Sequence, residues 1–328
     1  MVTWLLLHLL VGASGAWLAR HYALRRNLVD QPGERRSHSL PTPRSGGLGI
    51  VIAVLAGGGF LLLRRDAAQI LGFALMGFAI VAAIGLVDDH RPLSPWSRLG
   101  VHALAASLLA CGAWWTWHDV WLSSAAFGLA MVLTNVWNFM DGIDGIATTQ
   151  AMLVAMAITV VGFAGSITWM AAGLLAACLG FLPFNFPKAR LFLGDVGSGA
   201  IGFLLAALLL WAWANAAINT WPVWLLLPSA FLIDASMTLG GRLLRGEPWW
   251  QPHALHAYQR WARRTGSHVP VTCAYAAWTA SACALALLLL RGQEYFVMLA
   301  ACAAWYIAGA AIWWMLQVKG MQAVEDRE

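Results

Sequence analysis

Apolar runs of about 17 to 25 residues succeed one another from one end of this chain to the other, each long enough to cross a bilayer as a helix. No other feature constrains the fold as much. Only 11% of the 328 residues are charged, where a soluble domain carries roughly 25%, and the mean hydropathy is +0.68. A lipid interior admits only helices and closed barrels, because every backbone polar group must be satisfied within the protein. The alternating pattern of barrel strands is absent, so the spans are helices. The runs fall at about residues 1–19, 46–63, 69–87, 99–117, 120–137, 148–165, 167–184, 196–215, 221–241, 269–290 and 294–316. They predict an all-α, polytopic integral membrane protein with about eleven transmembrane helices and a short break at Gly162 to Ser166.

The charges set the orientation. No Lys or Arg precedes the first run; Arg20, Arg25, Arg26, Arg35 and Arg36 follow it. The positive-inside rule then places the N-terminus outside and the C-terminus in the cytoplasm. With that assignment, all of the 20 Lys and Arg except Arg64, Arg65 and Arg291 lie on the inner side. The chain reads as one transmembrane domain, residues 1–328, with cytoplasmic loops 20–45, 88–98, 138–147, 185–195 and 242–268. Many of the 20 Trp cluster near span ends, as at Trp114, Trp115, Trp117, Trp221, Trp224, Trp249, Trp250, Trp313 and Trp314, consistent with aromatic belts. The five Cys sit inside apolar runs with no CxxC pair, and read as small apolar residues.

Against this background the polar residues at span ends stand out. Asp88-Asp89 closes the third run. Asn138, Asp141 and Asp144 close the fifth at intervals of three, with Gly142 and Gly145 behind the acids. Asn185 closes the seventh, Asp195 opens the eighth among glycines, and His253 and His256 follow the ninth. Singly, each has an ordinary explanation as a cap or turn. Two spans separate each group from the next, however, so parity puts all of them on the basic, cytoplasmic face. Acids gathered there call for a cation, and hard carboxylate and amide oxygens suit Mg²⁺. Arg44, within Pro-Thr-Pro-Arg-Ser-Gly-Gly, and Lys188 and Arg190 interleave with them. On a helix from His253, residues His253, His256, Arg260 and Arg263 would share one cationic face. Carboxylates for a metal and cations for phosphate are the equipment of phosphoryl transfer. No Walker loop, GxSxG, HExxH or GxGxxG motif is present.

These motifs, in this order, resemble the polyprenyl-phosphate N-acetylhexosamine-1-phosphate transferases of glycosyltransferase family 4: Asp88-Asp89, Asn138-Phe-Met-Asp141-Gly-Ile-Asp144-Gly, Asn185 through Phe192-Leu-Gly-Asp195-Val-Gly-Ser198, and His253-Ala-Leu-His256-Ala-Tyr-Gln. The resemblance implies transfer of an N-acetylhexosamine-1-phosphate from a UDP-amino sugar to undecaprenyl phosphate, with release of UMP. It implies Mg²⁺, or Mn²⁺ in its place, a bacterial inner membrane and a site on the cytoplasmic face. Asp195 is then the expected metal ligand, with Asp141 and Asn138 close by, and Asp88 the base or the group that positions the acceptor phosphate. Asp89 and Asp144 would support the metal or nucleotide. Arg44, Asn138, Asn185, His253, His256 and Arg260 would bind substrate. The partners are membrane lipid and the two substrates, with a homodimer as a further candidate and no nucleic acid. The His-Ala-Leu-His spacing and Asp234 resemble the branch that initiates O-antigen and other surface polysaccharides. The phospho-N-acetylmuramoyl-pentapeptide transferases typically carry three adjacent histidines at this place, and remain the alternative. An intramembrane prenyltransferase usually spaces its acids Asp-x-x-x-Asp, and a transporter would bury ionisable groups near the midplane; both fit less well.

Overall fold

The computed structural model describes residues 1–31, 41–64, 69–163, 165–248, 250–251, 253–292 and 294–325. Arg35, Arg36, Arg65, Trp249 and Arg327, and residues 32–40 of the predicted 20–45 loop, lie outside the described residues. The chain forms α1 (Val2–Arg25), α2 (Leu48–Leu62), α3 (Gln69–His90), α4 (Pro95–Trp117), α5 (Val120–Met140), α6 (Ile146–Val161), α7 (Ser166–Asn185), α8 (Asp195–Ala214), α9 (Trp221–Leu226), α10 (Ser229–Leu244), α11 (Ala257–Thr265), α12 (Val269–Leu289) and α13 (Tyr295–Glu325). The two-residue strands β1 (Val29–Asp30) and β2 (Thr42–Pro43) pair antiparallel beyond the end of α1. Eight helices (α1, α3, α4, α5, α7, α8, α12 and α13 to Gln317) are long and apolar enough to span, and α2 and α6 are shorter apolar helices.

The predicted span 221–241 differs from a single helix. It is broken into α9 and α10 at Pro228, which has no N–H to give and whose ring clashes with the preceding turn. The predicted break near residues 162–166 is present between α6 and α7.

Helix α8 is the centre of the bundle. It is buried from Val196 to Ala212, and α3 and α5 pack along it. A helix apolar all round can be enclosed on every side. Small residues bring the neighbours close: a Cβ on Gly202 would collide with the Leu133 carbonyl of α5, and one on Gly85 of α3 with the backbone of Asp195. The outer wall is made by α1, α4 and α13, whose surfaces are mostly left to lipid.

This packing gathers the ends of α3 and α5 and the start of α8 at one end of the bundle, as span parity requires. If that end faces the cytoplasm, cysteines placed at 92 and 266 should be labelled from the cytoplasmic side and a cysteine at 118 from the other. Labelling of 92 and 266 from opposite sides would break the single-site arrangement.

Candidate active site

The site begins with two loops that lock together. Phe192 N–H donates to Pro43 O at 2.8 Å, Gly46 N–H to Phe192 O at 2.9 Å and Gly47 N–H to Leu193 O at 2.8 Å. The Pro-Thr-Pro-Arg-Ser-Gly-Gly loop is thereby laid along the loop that leads into α8. Ser45 adopts φ 71° and sends its Oγ–H to Asp89 Oδ2 at 2.9 Å. Asp89, buried at the end of α3, also accepts the N–H of Asp195 at 3.0 Å and that of Val196 at 3.4 Å. It is therefore the carboxylate that satisfies the first N–H groups of α8, which have no partner within the helix.

Arg98, in the first turn of α4, joins the acids. Its Nη1 donates to Asp88 Oδ2 and to Asp195 Oδ2, both at 2.8 Å. Asp88 also accepts Leu93 N–H at 2.6 Å. From α5, Asn138 Nδ2 donates to Asp195 Oδ1 at 2.9 Å and to Ser198 Oγ at 3.2 Å. Asp141, just past the end of α5, is pushed up to about 7 by burial and by the negative charge of Asp89.

Two cavities flank this cluster. The larger, about 780 Å³, carries basic side chains on a partly apolar wall: Arg20, Lys188, Arg190 and His268 line it with Asp144 and Phe192. Asp144 faces this side, its Oδ1 3.1 Å from His268 Nδ1. The smaller, about 250 Å³, is a groove between α4, α5 and α10. Arg98, His102, Asn135, Asn138, His253 and His256 line it together with Leu99, Leu239 and the rings of Trp96 and Trp250, whose centroids are 6.0 Å apart.

The cationic helix face expected from His253 to Arg263 is corrected. The helix α11 starts only at Ala257, because Asp234 of α10 accepts the N–H groups of Ala257 at 2.9 Å and Tyr258 at 3.1 Å and so fixes its N-terminus there. His256 is the N-cap residue, buried, with Nδ1 3.6 Å from Asp234 Oδ1. His253 lies in the preceding loop, and burial together with the charges of His256 and Arg242 lowers it to about 4, so it enters the groove as a neutral ring. Arg260 is half-buried on α11 and lines neither cavity. Asn185 points into the bundle: it accepts from Thr148 Oγ1 at 3.2 Å and donates to Leu191 O at 3.1 Å. Arg44 stands beside the cluster on the Ser45 loop, with its Nε buried and unpartnered among the described residues.

A divalent cation fits this chemistry. Among the described residues no three Asp, Glu, His or Cys side chains form a metal shell by themselves. Mg²⁺ does not need one, since it keeps several waters and takes one or two carboxylates with substrate phosphate oxygens. Asp195 and Asp88 bring such oxygens together at Arg98, and Asp141 lies just past the end of α5 within reach of the charge of Asp89.

A membrane-embedded helical bundle with an acid cluster between a basic cavity and an amphipathic groove narrows the class, and comparison with known proteins places the chain. It belongs to glycosyl transferase family 4, the polyprenyl-phosphate hexosamine-1-phosphate transferases, whose family profile matches residues 70–212. Among relatives, the decaprenyl-phosphate N-acetylglucosaminephosphotransferase of Mycobacterium leprae is 30% identical over 301 residues, covering 78% of this chain and 75% of the relative. The probable undecaprenyl-phosphate N-acetylglucosaminyl 1-phosphate transferase of Bacillus subtilis is 26% identical over 263 residues, covering 74% and 72%. A phospho-N-acetylmuramoyl-pentapeptide-transferase of Moorella thermoacetica is 36% identical over 154 residues, covering 38% of this chain and 48% of its own.

Sequence reasoning missed Arg98 as a member of the site, along with Ser45, Ser198 and His268. The available signal for Arg98 was its place ten residues after Asp88, across a tight loop that starts the next helix.

Proposed function

We propose that this protein transfers an N-acetylhexosamine-1-phosphate from a UDP-amino sugar to undecaprenyl phosphate and releases UMP, as the first membrane step of O-antigen or related surface-polysaccharide synthesis. The observation that carries this reading is Arg98 joining Asp88 and Asp195 where the groove meets the acid cluster. The groove combines a cation and polar side chains with apolar and aromatic ones, as a long apolar chain with an anionic head requires. The basic cavity on the other side, with four cationic or imidazole side chains, suits the nucleotide diphosphate of the donor.

In this reading an oxygen of the lipid phosphate attacks the β-phosphorus of the UDP-sugar. The bond from that phosphorus to the α–β bridging oxygen breaks, and UMP leaves with the electron pair. Asp88, fixed by Leu93 N–H and Arg98, positions the acceptor phosphate and takes up its proton where one is present. Asp195, Asp141 and Asn138 would hold Mg²⁺, which supplies charge stabilisation for the transferring phosphoryl group. Arg98 adds positive charge and His256 a further polar ring along the groove. The site works on the cytoplasmic face of a bacterial inner membrane.

The test is UMP release by purified protein supplied with undecaprenyl phosphate, Mg²⁺ and a panel of UDP-amino sugars. Release with UDP-N-acetylglucosamine or a derivative supports the proposal. Release only with UDP-N-acetylmuramoyl-pentapeptide would assign the chain to the activity named for the Moorella relative. No release with any donor would overturn the transferase reading.

A further inference from the structure

His102 belongs to the groove but takes no part in the acid cluster. It sits on α4 one turn beyond Arg98, on the same face, and is 9% exposed. Its Nδ1 lies 3.3 Å from Asn135 Oδ1. The Asn135 amide cannot turn freely, because its Nδ2 donates to Met131 O at 2.7 Å. The oxygen therefore faces His102, which must carry its hydrogen on Nδ1. That leaves Nε2, which has no hydrogen-bond partner among the described residues, in a side chain that lines the groove. Arg98, in turn, commits Nη1 to two carboxylates and buries an unpartnered Nε.

We propose that His102 recognises the phosphate of the acceptor lipid, and that it is the residue by which the groove tells a polyprenyl phosphate from the corresponding neutral alcohol. The proposal rests on the acceptor reading above. Four residues separate His102 from Arg98, a rise of about 6 Å, so a phosphate between them reaches both side chains. A phosphate monoester loses its second proton near pH 6. The imidazole and the phosphate thus share one proton in the groove: Nε2 accepts from a P–OH, or a protonated Nε2 donates to the dianion. An alcohol offers no such charge-assisted bond. The bland alternative is a strut, in which His102 only holds Asn135 in place.

Equilibrium binding separates the two. Undecaprenyl phosphate and undecaprenol are titrated, without donor, into purified wild type, His102→Phe and His102→Ala in detergent, with monodispersity as the fold control. Wild type should bind the phosphate about tenfold or more tightly than the alcohol, the size of one charge-assisted hydrogen bond. Both variants should lose about that factor for the phosphate and nothing for the alcohol, and the KM for the UDP-sugar should stay unchanged. Equal losses for both lipids, or wild-type affinity for the phosphate in His102→Phe, would overturn the proposal. A wild type that does not distinguish the two lipids would overturn the acceptor reading itself, and this inference with it. UMP release by wild type, measured in parallel, shows separately whether the transfer reaction stands.

Discussion

Asp195→Asn is expected to lower turnover by at least about a hundredfold, the scale on which loss of one major electrostatic element acts, with little effect on the fold. The exchange removes a charge and keeps the shape. The surrounding hydrogen bonds can adapt: an asparagine oxygen still accepts from Arg98, and the Asn138 amide can turn to accept from the new NH₂ while Ser198 donates its hydroxyl hydrogen. The helix end is also unaffected, because Asp89 and not the Asp195 side chain satisfies the first N–H groups of α8. UMP release at matched membrane levels is the measurement. Near-normal turnover at saturating Mg²⁺ would show that Asp195 is no part of the chemistry.

Gly194→Ala is expected to be at least as damaging, through the backbone. Gly194 has φ 75° and ψ 168°, a region essentially closed to residues with a Cβ, at a cost of about 1–3 kcal/mol. The added methyl would also lie 2.5 Å from Asp89 Oδ2 and 2.7 Å from Ser45 N. Neither neighbour has room to yield: Asp89 is buried and holds three donors, and Ser45 N is backbone. We expect a lower unfolding temperature in detergent and loss of turnover together, read by fluorescence-detected gel filtration and UMP release. A variant with wild-type stability and turnover would mean that the two loops do not hold the cluster as described.

Much of this was legible from the sequence, and particular residues show why. Asp88, Asp89, Asn138 and Asp195 could be placed together because helices that cross a bilayer alternate sides, so counting spans substitutes for knowing the packing. What span counting cannot give is direction within the face. Asp141 and Asp144 are three residues apart, yet the chain turns at Gly142 and Gly145, so Asp144 looks into the basic cavity beside His268. Asn185 has the composition of a ligand residue, but its amide is consumed by Thr148 and Leu191. The start of α11 was misplaced by four residues because its cap comes from Asp234, in another helix. Periodicity reports only what a segment does alone, and a cap supplied from a distance leaves no local mark.

That same device has a consequence for how the protein is made. Asp89 emerges with the third helix, but the N–H groups it satisfies belong to residues 195 and 196, more than a hundred positions downstream. During insertion, the acid pair must wait at the aqueous boundary, hydrated, until α8 arrives. Assembly of the catalytic end is thus tied to synthesis of the most enclosed helix, and a chain halted before residue 195 presents acids with no structure to receive them. Truncations ending between α3 and α8 should accordingly be substrates for membrane quality control and not stable partial bundles, which pulse-chase turnover of chains ending at 190 and at 216 would reveal.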